Sequence, residues 1–175
     1  LHWLWLWRFL FYSFCGFLLE VVFARVTHHP KKDRKCLLLL PLCPVYGLGA
    51  ALILWFSQLL HAGPLAVMVI GFFSATAAEY LMAGFYERVL GVRFWDYARM
   101  PLNLDGRVCL LFSGLWTVLA LALVYAISPL ADRFLILIPA WLGPPALILL
   151  LSDVLVSSVA LRRTGTTEVL RWYRP

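Results

Sequence analysis

The sequence predicts an all-α, polytopic membrane helix bundle with five transmembrane helices, and three observations carry that prediction. Of 175 residues, 63% are hydrophobic and 14% charged. A soluble domain of this size cannot bury so much apolar surface, so lipid must be part of the solvent. The apolar residues gather into five stretches, near 5–26, 37–60, 65–88, 108–127 and 133–161. Each reaches the ~20 residues that a helix needs to cross ~30 Å of hydrocarbon. Third, the cations are confined to the short connections between these stretches. Residues 1–175 therefore read as a single transmembrane domain, with a short cytoplasmic tail over 164–175.

Span one opens with Trp3, Trp5 and Trp7, an aromatic belt suited to a membrane interface, and Arg8 is expected to snorkel to the same surface. Its length and the charge of Glu20 exclude a cleaved signal peptide. Span two carries Pro41 and Pro44 in its first half. Proline removes a backbone donor, so the segment is either a simple kink or an irregular stretch lining a cavity. Span three places Gly71, Ala75, Glu79, Ala83 and Glu87 at steps of four, a small-residue face that lets a neighbouring helix approach. Ser13, Gly16 and Glu20 repeat the device in span one. Span four is unbroken. Span five contains Pro139 and Gly143-Pro144-Pro145 in its outer half, read as a structural break.

Orientation follows from charge. Arg25, Lys31, Lys32, Arg34 and Lys35 fill the first loop. Arg88, Arg93, Arg99 and Arg107 fill the third, and Arg162, Arg163, Arg171 and Arg174 the tail. Five helices put these regions on one face, with only Arg8 and Arg133 opposite, so the N-terminus is expected outside and the C-terminus in the cytoplasm. The net charge of +6 then reports orientation, and no basic aromatic platform for nucleic acid is present.

Glu20, Glu79 and Asp153 lie inside predicted spans. An ionisable group there costs about 2.5–3.5 kcal/mol on insertion scales, so it is paired, turned inward or functional. At ~1.5 Å per residue all three sit roughly 10–14 Å from the cytoplasmic end, and the expectation is that they border one cavity open to that side. They serve either helix association or a shared cation, proton or substrate site.

The third loop, residues 93–107, combines Arg93, Trp95, Asp96, Tyr97, Asn103 and Arg107. An ordinary mobile linker would be rich in Ser, Lys and Glu. The segment reads as a folded plug at headgroup level, with Arg93 or Arg107 pairing a buried acid, or else as an interfacial anchor. Cys15, Cys36, Cys43 and Cys109 show no metal-ligand spacing and read as packing residues, and His28-His29 as a wet loop. No cofactor and no metal are expected.

Tyr12-Ser13 with Gly16 and Glu20, Cys43-Pro44-Val45-Tyr46-Gly47, Glu79, Trp95-Asp96-Tyr97, and Asn103 with Gly106 and Cys109-Leu110 together resemble a family of bacterial multi-pass membrane proteins catalogued as type IV ABC-transporter permeases. The resemblance covers about residues 9–160. It implies a place in the bacterial inner membrane and marks Glu20, Cys43, Tyr46, Glu79, Trp95, Asp96, Tyr97 and Asn103. Arg93 and Asp153 join them as candidate binding residues. Where the family pattern has Asn-Arg-Gly before the Cys-Pro element, this chain reads Arg34-Lys35-Cys36.

Three functions compete. The first is a small permease-like protein binding or moving a polar or cationic solute through an acid-lined cavity. With no Gly-x-x-x-x-Gly-Lys-Ser/Thr loop the chain cannot hydrolyse ATP itself, so a separate ATPase subunit is the expected partner beside the lipid bilayer, and five helices favour a homo-oligomer. The second is an intramembrane enzyme using carboxylates as acid and base on a lipid or amphiphile. Cys43 is its conceivable nucleophile, with no evident His to activate it. The third is a membrane scaffold or regulator.

Overall fold

The computed structural model describes residues 3–28 and 35–171. His29, Lys31, Lys32, Arg34 and Arg174, which bear on the loop and orientation expectations, lie outside the described residues. The chain is predominantly helical. Helix α1 spans Leu4–Val26, α2 Pro44–Leu59, α3 Pro64–Phe85, α4 Leu110–Ala122, α5 Ser128–Leu135 and α6 Gly143–Thr164. Helix α3 runs on through a π turn at Tyr86–Leu90, and a second π turn at Leu123–Ile127 joins α4 to α5. Four of the resulting helices are long and apolar enough to cross a membrane: Leu4–Val26, Pro64–Leu90, Leu110–Leu135 and Ala140–Thr164.

Two boundaries depart from the sequence reading. Residues 36–43 are not helical, and α2 begins only at Pro44. Its 16 residues rise about 24 Å, less than a bilayer core. The reason is local. Pro41 lacks a donor and disfavours helix before it, whereas Pro44 at the first helical position lacks only a donor that would be orphaned anyway. The second departure lies at 128–139. The fourth helix continues to Leu135, carrying Arg133 with it. Gly143, Pro144 and Pro145 do not break a span but open α6, after a 3₁₀ turn at Ala140–Leu142.

The helices pack in chain order, α1 on α2, α2 on α3, and α3 on α4, with α5 and α6 returning to α1. Small residues set the spacing. A Cβ on Gly71 would stand 2.3 Å from Ala120 Cβ, and one on Gly47 2.2 Å from Ser13 Oγ, so neither interface tolerates a larger residue without moving apart. Large apolar side chains face outward instead: Leu65, Phe73, Leu81, Val118 and Leu155 are all exposed. That inversion of the soluble pattern is what lipid solvation allows.

Arg8 does not snorkel. It is buried, with its guanidinium donating to both oxygens of Asp132 at 3.0 and 2.7 Å and stacking over Trp5. The pair ties α1 to α5 at the end of the bundle away from Glu20 and Glu79. At the opposite end a 3₁₀ turn, Thr167–Arg171, buries Leu170 completely. It packs with Tyr86, Leu90, Val92 and Leu161, so the first residues after α6 are docked rather than free.

Candidate functional site

A cavity of about 270 Å³ lies where α1, α2, α3 and α4 meet the loop that follows α3. Its walls include Glu20, Cys43, Tyr46, Glu79, Trp95 and Tyr97, six of the ten candidate residues. Each acid is held by aromatic donors. Tyr46 Oη donates to Glu20 Oε1 at 2.7 Å. Tyr97 Oη and Trp116 Nε1 donate to the two oxygens of Glu79 at 3.0 and 3.2 Å. Glu79 is 5% exposed, as a face of small residues in tight helix contact requires.

The rings are themselves fixed by packing. A Cβ on Gly16 would lie 2.2 Å from Tyr46 Cγ, so glycine there seats the Tyr46 ring against α1. Tyr46 meets Trp116 edge-on at 5.2 Å, and Tyr97 stacks on Phe112 at 4.8 Å. Buried tyrosine and tryptophan need partners for their polar atoms, and the two carboxylates supply them.

Asp153 stands apart from this cavity. It is 1% exposed and accepts from Leu39 N at 3.0 Å, Leu40 N at 2.7 Å and Ser157 Oγ at 3.1 Å. Ser157 Oγ in turn accepts from Leu38 N at 2.8 Å. Backbone that leaves the helix inside a membrane must find partners within the protein. Asp153 and Ser157 are those partners for the segment before Pro41. The three acids therefore do not share one void: two do, and the third supports irregular backbone.

The loop after α3 is folded, and several candidate residues build it rather than line the cavity. Asp96 Oδ1 accepts from Ala98 N at 2.8 Å, and Asn103 Oδ1 accepts from Gly106 N at 3.0 Å while its amide donates to Met100 O at 2.8 Å. A two-residue ladder, β1 Asn103–Leu104 with β2 Val108–Cys109, closes the turn. Gly106 has φ +68°, and a Cβ there would also meet Asp96 Oδ1 at 2.9 Å, so only glycine fits. Trp95 Nε1 donates to Arg107 O at 2.8 Å and Tyr97 N to Gly106 O at 2.7 Å. These bonds aim Tyr97 at Glu79.

Arg93 and Arg107 do pair an acid, but it is Glu87. Arg107 donates twice to Glu87 Oε2, at 2.9 and 2.8 Å, and Arg93 Nε lies 3.1 Å from Oε1. The hydrogen bonds to Glu87 raise the already high pKa of Arg107, which stays charged at any physiological pH. Its guanidinium also lies over the Tyr80 ring at 5.0 Å. This network clamps the loop to the end of α3.

Cys36 and Cys43 are not isolated packing residues. Their sulfurs are 3.1 Å apart, both are buried, and both line the cavity. The sequence reading missed Cys36 and, more importantly, Trp116. A tryptophan in mid-span, away from an interfacial belt, must satisfy its N–H inside the protein, and that signal pointed to a buried acceptor such as Glu79. Among the described residues no group of three or more His, Cys, Asp or Glu is placed to hold a metal.

The profile of the family described as "Putative ABC-transporter type IV" matches residues 7–160. The chain belongs to this family. No curated protein and no solved structure matches it. Family membership and the apolar helices together make it a transport-related, multi-pass membrane protein.

Proposed function

We propose that the chain is the membrane-embedded, permease-like subunit of a transporter, which binds a cationic solute in the cavity between Glu20 and Glu79. The observation that carries this reading is their convergence. Two carboxylates placed in helices α1 and α3 face one void, where Tyr46 donates to Glu20 and Tyr97 and Trp116 donate to Glu79. Helix association alone is served at lower desolvation cost by neutral residues. In this reading the residues directly concerned are Glu20, Cys43, Tyr46, Glu79, Trp95 and Tyr97. Asp96, Asn103, Arg93 and Asp153 act by holding the loop and the irregular segment.

The same reading has five membrane-crossing segments. The second of these is α2 together with the non-helical residues 36–43 that precede it. The N-terminus is outside and the C-terminus cytoplasmic, on the charge distribution of the loops, so the cavity opens toward the cytoplasm of a bacterial inner membrane. ATP hydrolysis belongs to a separate ATPase docking on that face, and oligomers complete the pathway.

The test has two parts. Affinity purification from the native membrane is expected to bring an ATP-binding subunit with the full chain. A panel of cations screened by thermal shift in detergent is expected to yield a stabilising ligand whose effect is lost in Glu20→Gln and Glu79→Gln. Stabilisation that survives in both variants would remove the proposed site.

A further inference from the structure

Resting on that reading, we infer that the solute is a small organic ammonium ion with apolar substituents, its charge on Glu79 and its substituents against the aromatic wall. Three observations point the same way, and the first concerns charge. Glu79 is 5% exposed, and both its oxygens accept from uncharged donors, Tyr97 and Trp116. An indole nitrogen can only donate, which fixes Glu79 Oε2 as an acceptor. Among the described residues no ion pair includes Glu79. When Glu79 is ionised, these hydrogen bonds satisfy its lone pairs without neutralising it, and a charge buried in a membrane span calls for an opposite one.

Size is the second observation. At about 270 Å³ the cavity is near the lower edge of the ~300–1,000 Å³ typical of small-molecule sites. It equals roughly nine times the ~30 Å³ share of one water molecule. A dehydrated metal ion is far smaller and demands six or so oxygens at about 2.0–2.6 Å. A hydrated one would set its waters against walls that are mostly apolar, including Leu19, Phe23, Phe112 and Leu115, with few acceptors.

The third observation is the wall itself. Tyr46, Trp95, Tyr97, Phe112 and Trp116 surround the acids. Aromatic faces attract cations through their quadrupole, and most strongly when the cation carries little water of its own, as alkylated ammonium ions do. Lys35 and Arg171 also line the cavity. Their charged ends are engaged by Leu38 O at 2.6 Å and Glu168 Oε2 at 2.6 Å. Glu168 offsets the charge of Arg171, whereas the carbonyl of Leu38 leaves that of Lys35 in place, which disfavours a solute with a second positive end.

The deciding experiment is calorimetric titration of the full chain in nanodiscs. The probes are benzyltrimethylammonium, the uncharged N,N-dimethylbenzamide of similar shape, and potassium and magnesium chloride. Saturable binding of benzyltrimethylammonium, at least tenfold tighter than the benzamide and weakened at least tenfold by Glu79→Gln, is the expected result. Size exclusion and the unfolding midpoint report whether that variant is folded. If it is not, the two organic probes on the unaltered protein carry the test alone. Equal binding of both organic probes, or binding of potassium or magnesium without benzyltrimethylammonium, would overturn the organic-ammonium assignment. In the second case the cation-binding reading would stand. Binding of no cation at all would overturn both.

Discussion

Replacing Asp153 by alanine separates a supporting role from a binding role. The carboxylate accepts from two backbone N–H groups, Leu39 and Leu40, and from Ser157, at a site that is 1% exposed. Alanine leaves both N–H groups without that acceptor, in a segment that cannot return to helix while Pro41 is present. An unsatisfied buried donor costs about 1–3 kcal/mol, so the pair costs about 2–6 kcal/mol. Against a typical total stability of ~5–15 kcal/mol, that loosens or unfolds residues 36–43. Asp153→Asn keeps one acceptor oxygen but turns an amide NH2, a donor only, toward the other backbone N–H, and is expected to lose at least half as much. The assay is equilibrium unfolding in detergent micelles, paired with the rate at which a maleimide labels Cys36 and Cys43, both buried on this segment. Labelling is expected to accelerate in step with the loss of stability. An Asp153→Ala protein whose stability lies within about 0.5 kcal/mol of the unaltered protein, the size of ordinary surface effects, and that labels no faster would refute the reasoning.

Arg8→Met leaves the Asp132 carboxylate without its buried partner and is expected to destabilise the bundle by up to about 3–5 kcal/mol, while Arg8→Met with Asp132→Leu recovers most of the loss. A double-mutant cycle in the same unfolding assay decides it. Gly16→Ala drives a methyl into the Tyr46 ring and is expected to cost about 1–3 kcal/mol and to weaken ligand binding. Gly114→Ala, where a Cβ meets nothing within 4 Å, serves as the neutral control. A mild disulfide oxidant is expected to join Cys36 to Cys43, leaving Cys15 and Cys109 as thiols. Peptide mapping that finds any other pair would place the segment before α2 differently.

What chain order alone determined here was set by bulk thermodynamics. Hydrophobic runs long enough to cross a bilayer announce membrane helices because every backbone polar group must be satisfied within the segment. Glu79 was legible as a buried group for a similar reason: its neighbours at four-residue spacing are Ala75 and Ala83, which fixed the face it occupies. Gly16 and Tyr46 were both visible as unusual, but that one seats the other is a contact between helices and has no local signature.

Tertiary structure decided how the polar groups divide. Glu20, Glu79 and Asp153 have similar depth along their helices, and depth does not specify rotation about the bundle axis. Packing turned two of them onto one cavity and gave the third to the backbone that Pro41 had freed. Arg8 reversed its expected direction for the same kind of reason, since Asp132 lies more than a hundred residues away and only the return of α5 to α1 brings it within reach. The family resemblance marks Asp96 and Asn103 as binding residues, and polar side chains in an aromatic loop look alike in sequence whether they hold a solute or hold the loop. Which of the two they do depends on hydrogen bonds that exist only once the chain has turned at Gly106.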